Sequence, residues 1–249
     1  MSRSRLRLPF TALLFVGTAC AGRTPYDPFL VPKDSIFSRT RTIALAPAYA
    51  SFELENPTTP CAKFDSLIAA EIRAAGFTVV PAHESAAIWE RISDSVGGFF
   101  NPTTGARDSA RFDTARRLAM DELRARFGAD AWLHPSLGLV RADFRNGTAK
   151  WDGVKESYQS TGGKILNALG GVSTFGTAGA ISLLVIVEDT RGVDLYANRG
   201  GVQLYVRPKG REFVEVPRGD LFIDELRNQT AVRIALGPFV RRGAPEPAN

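Results

Sequence analysis

The chain has 249 residues, 44% hydrophobic and 23% charged. That is the balance of an ordinary globular protein, and it suits one domain of roughly 200 residues whose core needs no disulfides. The formal charge of +5 falls to +2 when Arg3, Arg5 and Arg7 are set aside, which leaves no basic footprint for a nucleic acid.

Those three arginines open a targeting segment. They precede a short apolar core, residues 8–16, interrupted early by Pro9, and then Gly17-Thr18-Ala19 before Cys20. The core is too short to cross a bilayer, which takes ~20 apolar residues, and the arrangement reads as an export signal. It resembles the bacterial lipoprotein signal, in which the Cys becomes the first residue and carries lipid. Thr18 and Ala19 fit that pattern, whereas Gly17 stands where the family prefers an aliphatic residue. The resemblance implies a signal peptide over residues 1–19, lipidation at Cys20 and acyl chains in a membrane. Because Ala21 and not Asp follows Cys20, it also implies the periplasmic face of the outer membrane. Ordinary cleavage after Ala21 is the alternative, since Ala19-Cys20-Ala21 also obeys the small-x-small rule. The protein would then be secreted or soluble in the periplasm. The chain's other cysteine is Cys61. A Cys20–Cys61 bridge is open to the unlipidated form. Otherwise Cys61 reads as a small, partly buried residue at a helix start.

Residues 20–40, with Pro25, Pro28 and Pro32 and no periodicity, read as a tether. An α/β domain is expected over 41–240 and a flexible tail over 241–249. The first strand, 41–48, alternates Ile43 and Leu45 with small residues and ends at Pro47, so helices can cover both its faces. Residues 60–75 form an amphipathic helix, with Phe64, Leu67, Ile68, Ile72 and Ala75 on one side. Thr59 is its N-cap and Gly76 its stop. A short strand, 77–80, completes a right-handed crossover. A helix over 85–95 turns Ile88, Trp89 and Ile92 inward. Residues 97–108 read as an exposed loop. Another helix, 111–127, packs through Ala115, Leu118 and Leu123 and pairs Glu122 with Arg126.

Asn146-Gly147 between two extended runs is a strong hairpin signal. It predicts the pairs Arg145–Thr148, Asp143–Lys150, Arg141–Asp152 and Leu139–Val154 on one face. Phe144–Ala149, Ala142–Trp151 and Val140–Gly153 fall on the other. Residues 161–180 are Gly-rich, with room for a short helix at 164–169. Residues 181–188 are a buried strand, and a turn at 189–192 leads to a return strand at 193–197. Asn198-Arg199-Gly200-Gly201 breaks that strand. A last helix lies in 220–236, with Leu221, Ile223, Leu226, Val232 and Ile234 inward. No repeat of solenoid period is present.

Chemistry is sparse. His83 and His134 have no ligand or triad partners at useful sequence spacing, so no metal site and no catalytic residue is expected, and Ser136 beside His134 does not change that. If His134 does act, Asp130 is the first carboxylate to pair with it. No Gly-x-Ser-x-Gly elbow occurs. The Gly-rich run 170–176 lacks the Lys-Ser/Thr of a phosphate loop, so no cofactor is expected. Residues 101–108 are oxygen-rich but miss the calcium-loop spacing. Arg199, on a Gly-flexed run, is the candidate contact for an anionic partner. The alternative for that run is a bulge that needs positive φ.

With the elements in order, Arg-Thr-Ile-Ala-Leu-Ala-Pro, Ala-Gly-Phe-Thr-Val-Val-Pro and Gly128-Ala129-Asp130 resemble the envelope α/β domain of curli-secretion lipoproteins, TolB N-terminal domains and penicillin-binding-protein activator lipoproteins. The resemblance covers roughly residues 41–158, and the chain departs from it by inserting 93–111 and 161–180. It implies a single α/β domain, a mixed sheet with helices on both faces, in a cell-envelope protein. The expected role is non-catalytic: binding to, or assembly with, another envelope protein. An extracytoplasmic hydrolase is the first alternative. A secretion-channel subunit is the second, and it would need a membrane-inserting hairpin of alternating pattern, which 161–180 does not offer.

Overall fold

The structure is a computed structural model. It describes residues 26–51, 54, 58–101, 103–145, 147–157, 175–209 and 212–240. The expected signal peptide, Cys20, Asn146, the possible helix at 164–169, residues 161–174 of the Gly-rich segment and the expected tail 241–249 lie outside these. Among the described residues stand five helices: α1 (Lys33–Arg39), α2 (Thr58–Ala74), α3 (Ala82–Ser95), α4 (Ser109–Phe127) and α5 (Glu225–Val240). Ten strands accompany them: β1 (Thr42–Leu45), β2 (Tyr49–Ala50), β3 (Thr78–Val80), β4 (Ala131–Arg145), β5 (Thr148–Trp151), β6 (Val154–Ser157), β7 (Phe175–Asp189), β8 (Asp194–Leu204), β9 (Val206–Lys209) and β10 (Glu212–Glu215). Eight strands make one mixed sheet, and β9 and β10 pair separately.

The sheet is built on β4. One edge of β4 pairs antiparallel with β7 over its whole length, from Ala131↔Asp189 to Arg145↔Phe175. Its other edge is shared in turn by parallel β1, parallel β2 and antiparallel β5. Alternation along the strands then sorts the core. Ile43, Leu45, Ala131, Leu133, Leu183, Val185 and Val187 face α2 and α5, whose Phe64, Ile68, Ile72, Ala235, Leu236 and Phe239 are buried against them. Ala44, Ala46 and Trp132 face the other way, onto Ile88 and Ile92 of α3 and Ala115, Ala119, Met120 and Leu123 of α4. Helices on both faces of a mixed sheet are thus the architecture, as the alternation in β1 predicts. Burying each large aliphatic or aromatic side chain contributes about 1.5–3 kcal/mol.

The hairpin keeps its predicted register for three pairs: Asp143↔Lys150, Phe144↔Ala149 and Arg145↔Thr148. The four outer pairs do not form. Asp152 and Gly153, both at positive φ, make a second tight turn, and β6 returns along β5 from Trp151↔Val154 to Thr148↔Ser157. Asp-Gly is as good a signal for such a turn as Asn-Gly. The β5–β6 ribbon folds back over the sheet. Gly201 N–H donates to Asp152 O at 2.9 Å, Trp151 Nε1 to Ile181 O at 3.3 Å, and Ser182 Oγ to Asp152 Oδ2 at 2.6 Å. Under it lies a separate apolar cluster of Ala142, Ala149, Trp151, Ala178, Ala180 and Leu204. Trp151 is therefore a core residue, as expected, but it sits against Gly201 and not opposite Ala142.

Four further expectations are corrected. The tether does not extend to residue 40. Pro28 O accepts from Ala197 N and Leu30 N donates to Leu195 O, while Phe29 and Ile36 are buried, so the ordered fold includes Tyr26 onward. Residues 198–201 do not break a strand, because β8 runs on to Leu204. Leu118, Ile223 and Leu226 are exposed. The last two precede or open α5, whose inward face is instead Ala231, Val232, Ala235, Leu236 and Phe239. Finally, residues 97–108 are not wholly solvated, since Phe99 packs on Trp89 at 5.3 Å. Cys61 is buried in the first turn of α2, and burial, with Asp65 nearby, pushes its thiol up to about 11.

The expected positive φ is absent from Gly200 and Gly201, although the register does shift just beyond them, from Ser182↔Gly201 to Ile181↔Gln203; what Gly200 serves is packing. Tyr196, Asn198 and Gly200 alternate along β8 toward α5. Tyr196 Oη donates to Ala235 O at 2.5 Å, and Asn198 Nδ2 donates to Ile234 O and Ala235 O at 3.0 and 3.1 Å. A Cβ on Gly200 would lie 2.0 Å from Ala231 O, so the helix sits directly on the strand's backbone. Gly200→Ala is expected to destabilise the domain by about 2–3 kcal/mol, as overpacking does. Gly138→Ala, with open space around its Cβ, is expected to change stability by less than ~1 kcal/mol. Urea unfolding compares the two, and equal effects would refute the close helix–strand contact. In the same assay Trp151→Ala is expected to cost about 3–5 kcal/mol, and a loss below ~1 kcal/mol would mean that its ring is not in a core.

Candidate functional site

Beyond the C-terminal end of β1, between α3, α4 and β4, a cleft of about 300 Å³ opens to solvent. Crevices at the carboxyl ends of parallel strands are where α/β sheets usually take ligands. Ala46 and Pro47 follow β1, Ala86, Trp89 and Glu90 come from α3, Phe112 and Arg116 from α4, and Trp132 and His134 from β4. Trp89 meets Trp132 edge-on at 6.0 Å and Phe112 at 5.5 Å, and Trp132 lies 4.6 Å from the His134 ring. Behind this wall Phe99 packs on Trp89 and Phe112, and the Arg107 guanidinium covers the Phe112 ring at 4.2 Å. The 97–108 segment thus buttresses the cleft. Arg91 and Glu122 form an ion pair that joins α3 to α4 across its back.

One ionic constellation borders the cleft. Glu188, at the end of β7, has a side chain only 4% exposed. Its Oε2 accepts from Arg116 Nη1 at 2.8 Å, and its Oε1 lies 3.1 Å from His134 Nε2. The register explains the meeting: Trp132 is opposite Glu188 and His134 opposite Ile186, so two-residue spacing carries all three side chains to the α4 face. A buried carboxylate costs several kcal/mol in desolvation unless it is paired and hydrogen-bonded, and here both oxygens are engaged. Trp132, 3% exposed, is the unbalanced member, because its Nε1–H has no acceptor among the described residues. Buried donors are nearly always paired.

His134 therefore does have a carboxylate, but it is Glu188, 54 residues away in sequence. Asp130 instead accepts the backbone N–H groups of Arg41 and Thr42 at 2.8 and 3.0 Å. His83 is solvent-exposed in the first turn of α3, 3.7 Å from Glu84. Arg199 stands exposed on β8 opposite Leu184, two strands from Ser136 and beside the cleft's face. Cys20 lies outside the described residues. The oxygens of 101–108 are used locally: Asn101 Oδ1 accepts from Thr103 and Thr104 N–H, and Asp108 caps α4 by accepting from Arg111 N–H. Among the described residues no group of three or more His, Cys, Asp or Glu could hold a metal. The sequence did carry a sign of Glu188: a carboxylate on the same parity as Leu184 and Ile186 at the end of an apolar strand falls on a sheet face and needs a partner there.

No family model and no curated protein matches the chain. Among solved structures, the lipoprotein GNA1162 from Neisseria meningitidis is similar at 18% identity, over 65% of this chain and 81% of that one, with a TM-score of 0.31. The likeness to the curli-secretion and TolB group is not carried by these findings. Among the described residues no helix is long and apolar enough to cross a membrane.

Arg116→Gln leaves Glu188 with His134 alone. The expected cost is about 2 kcal/mol, below the 3–5 kcal/mol of a fully buried broken pair because Arg116 is 35% exposed. Adding Glu188→Gln is expected to recover part of that loss. Thermal unfolding of the two single variants and the double variant measures the coupling, and strict additivity would show that the pair does not interact.

Proposed function

We propose that this chain is a lipid-anchored protein of the bacterial cell envelope that binds what it meets and does not turn it over. In this reading acyl chains on Cys20 hold it at the periplasmic face of the outer membrane. The cleft takes a ligand, and the face bearing Arg199 contacts another envelope protein. The observation that carries the binding role is the make-up of the cleft. Its walls are largely rings and small apolar side chains, no Ser, Thr or Cys among the described residues lines it, and its His134 and Arg116 are both tied to Glu188 beside it. That is how binding pockets are built: apolar walls with a few placed polar groups. The anchor is supported by the arginine-rich start, the short apolar core and the small residues before Cys20.

Palmitate labelling of the full chain is expected to mark the wild type and to vanish in Cys20→Ala. Equal labelling of both, or of neither, removes the anchor from the proposal. One observation favours a second reading, an extracytoplasmic hydrolase: the 3.1 Å contact that would orient His134 as a base. The binding reading expects the purified protein to release what it takes up chemically unchanged. A hydrolysis product that forms with the wild type and not with a His134→Ala protein shown folded by circular dichroism would select the hydrolase.

A further inference from the structure

We infer that the outer face of β4, β5 and β6, at the far end of the sheet, docks on an anionic phospholipid surface. This face is separate from the cleft, and its docking needs no acyl chain at Cys20.

Sheet register gathers the charges. Arg141, Asp143 and Arg145 alternate along one side of β4, past Leu137, the last β4 side chain in the α2–α5 core. Lys150 lies opposite Asp143, and Lys155 lies opposite Lys150. All five are exposed. Four of them, Asp143, Arg145, Lys150 and Lys155, line an open concavity of about 680 Å³ with Thr148 and Thr177.

The face is not neutralised. Four cations and one carboxylate give it +3, whereas the whole chain without Arg3, Arg5 and Arg7 carries +2. All the rest therefore sums to −1, and the positive charge is concentrated here. Asp143 forms no ion pair with Lys150, and none of the five side chains has a hydrogen-bond or ionic partner among the described residues. The ribbon's other carboxylates, Asp152 and Glu156, are engaged with Ser182 and Arg227. Residues 158–174, which join β6 to β7 at this end, include Lys164 and no Asp or Glu. Two lysines directly opposed across a ladder weaken its pairing, so the fold gains nothing from this arrangement. Breaches of local rules of this kind are expected at functional positions.

The make-up of the face favours a lipid surface over other anionic partners. Two of its four cations are Lys, a flexible point charge that imposes no geometry, and protein interfaces are depleted in Lys. Among the described residues no exposed ring stands on this face for a nucleic-acid base to stack on. The ring at its rim, Phe144, packs against the ribbon cluster. Leu139, on the same side of β4 and 37% exposed, adds apolar surface beside Arg141. Such a mixture suits a headgroup layer over acyl chains, where each Lys or Arg near the surface strengthens binding about fivefold.

The protein from Ala21 to Asn249 keeps every described residue and bears no acyl chain. It is mixed with vesicles of phosphatidylcholine alone, or of equal parts phosphatidylcholine and phosphatidylglycerol, and binding is read by co-sedimentation. The wild type is expected to sediment with the anionic vesicles only. It is expected to be released as salt rises from about 0.05 to about 0.5 M, because salt screens exposed charges. Lys150→Gln with Lys155→Gln is expected to weaken binding at least about tenfold. That variant is expected to unfold in urea no more easily than the wild type, since a like-charge pair has been removed. Arg117→Gln with Arg124→Gln removes equal charge from the exposed surface of α4 and is expected to change binding less than about twofold. The docking face is refuted if the wild type ignores anionic vesicles, if it binds neutral ones equally, or if the two double variants behave alike. Release by inorganic phosphate beyond that by chloride of equal ionic strength would also refute it, and would make the face a site for a free phosphate group.

Discussion

Fifteen residues of β4 are hydrogen-bonded along one edge by a single strand and along the other by three in succession, and the rest of the molecule takes its positions from that. Because side chains alternate strictly along a strand, a one-residue slip would send Ala131, Leu133 and Leu137 to the α3–α4 side and Trp132 and His134 into the α2–α5 core. The burial of both sets forbids the slip. The long pairing with β7 then fixes where Glu188 falls, one strand from Trp132, and so fixes the ionic group beside the cleft. The site is a consequence of sheet register more than of any local motif.

The two faces of the sheet are covered by different means. On one, α2 and α5 form a continuous layer, and α5 lies close enough to β8 that only glycine fits at position 200. On the other, α3 and α4 cover the parallel end, and the β5–β6 ribbon covers the far end by folding back onto β7 and β8. Between these covers the face is partly open, with Ser136, Leu184, Ile186 and Ala197 half-buried and Arg199 exposed. The cleft is the edge of this interval nearest the helices. Its aromatic wall resists collapse because each ring is held by another: Trp89 by Phe99 and Phe112, and Phe112 by Arg107.

The ionic group shows how burial and chemistry constrain one another. A carboxylate as enclosed as Glu188 requires partners for both oxygens, and Arg116 and His134 supply them. Once so engaged, His134 is held in a fixed orientation and Arg116 is drawn over Gly192, where a Cβ would come within 2.6 Å of its Nη2. The same contacts take up Nη1 of Arg116 and Nε2 of His134, and much of the rest of the cleft wall is apolar.

Much of this was readable in the chain, for a physical reason. Helix α2 and strand β1 declare themselves because Phe64, Ile68 and Ile72, and Ile43 and Leu45, follow the periods of 3.6 and 2 that geometry imposes locally. The turn at Gly147 and the first three hairpin pairs follow from backbone sterics at positive φ, which is again local. The second turn, at Asp152-Gly153, is equally local, and it ends the longer hairpin that the Asn-Gly signal alone predicts. Other features belong to the tertiary structure alone. Nothing near Gly200 in sequence says that α5 will rest on it, since Ala231 is thirty-one residues away. His134, Glu188 and Arg116 come from three elements whose meeting depends on the β4–β7 register and on which face α4 covers. Ile223 and Leu226 have the spacing of an inward face, yet α5 turns Ala231, Ala235 and Phe239 to the sheet instead, because close packing on β8 admits small residues there. Sequence thus determined the elements, each stabilised by neighbours a few residues away. Tertiary packing decided the cleft, which exists only where side chains distant in the chain are forced onto one face.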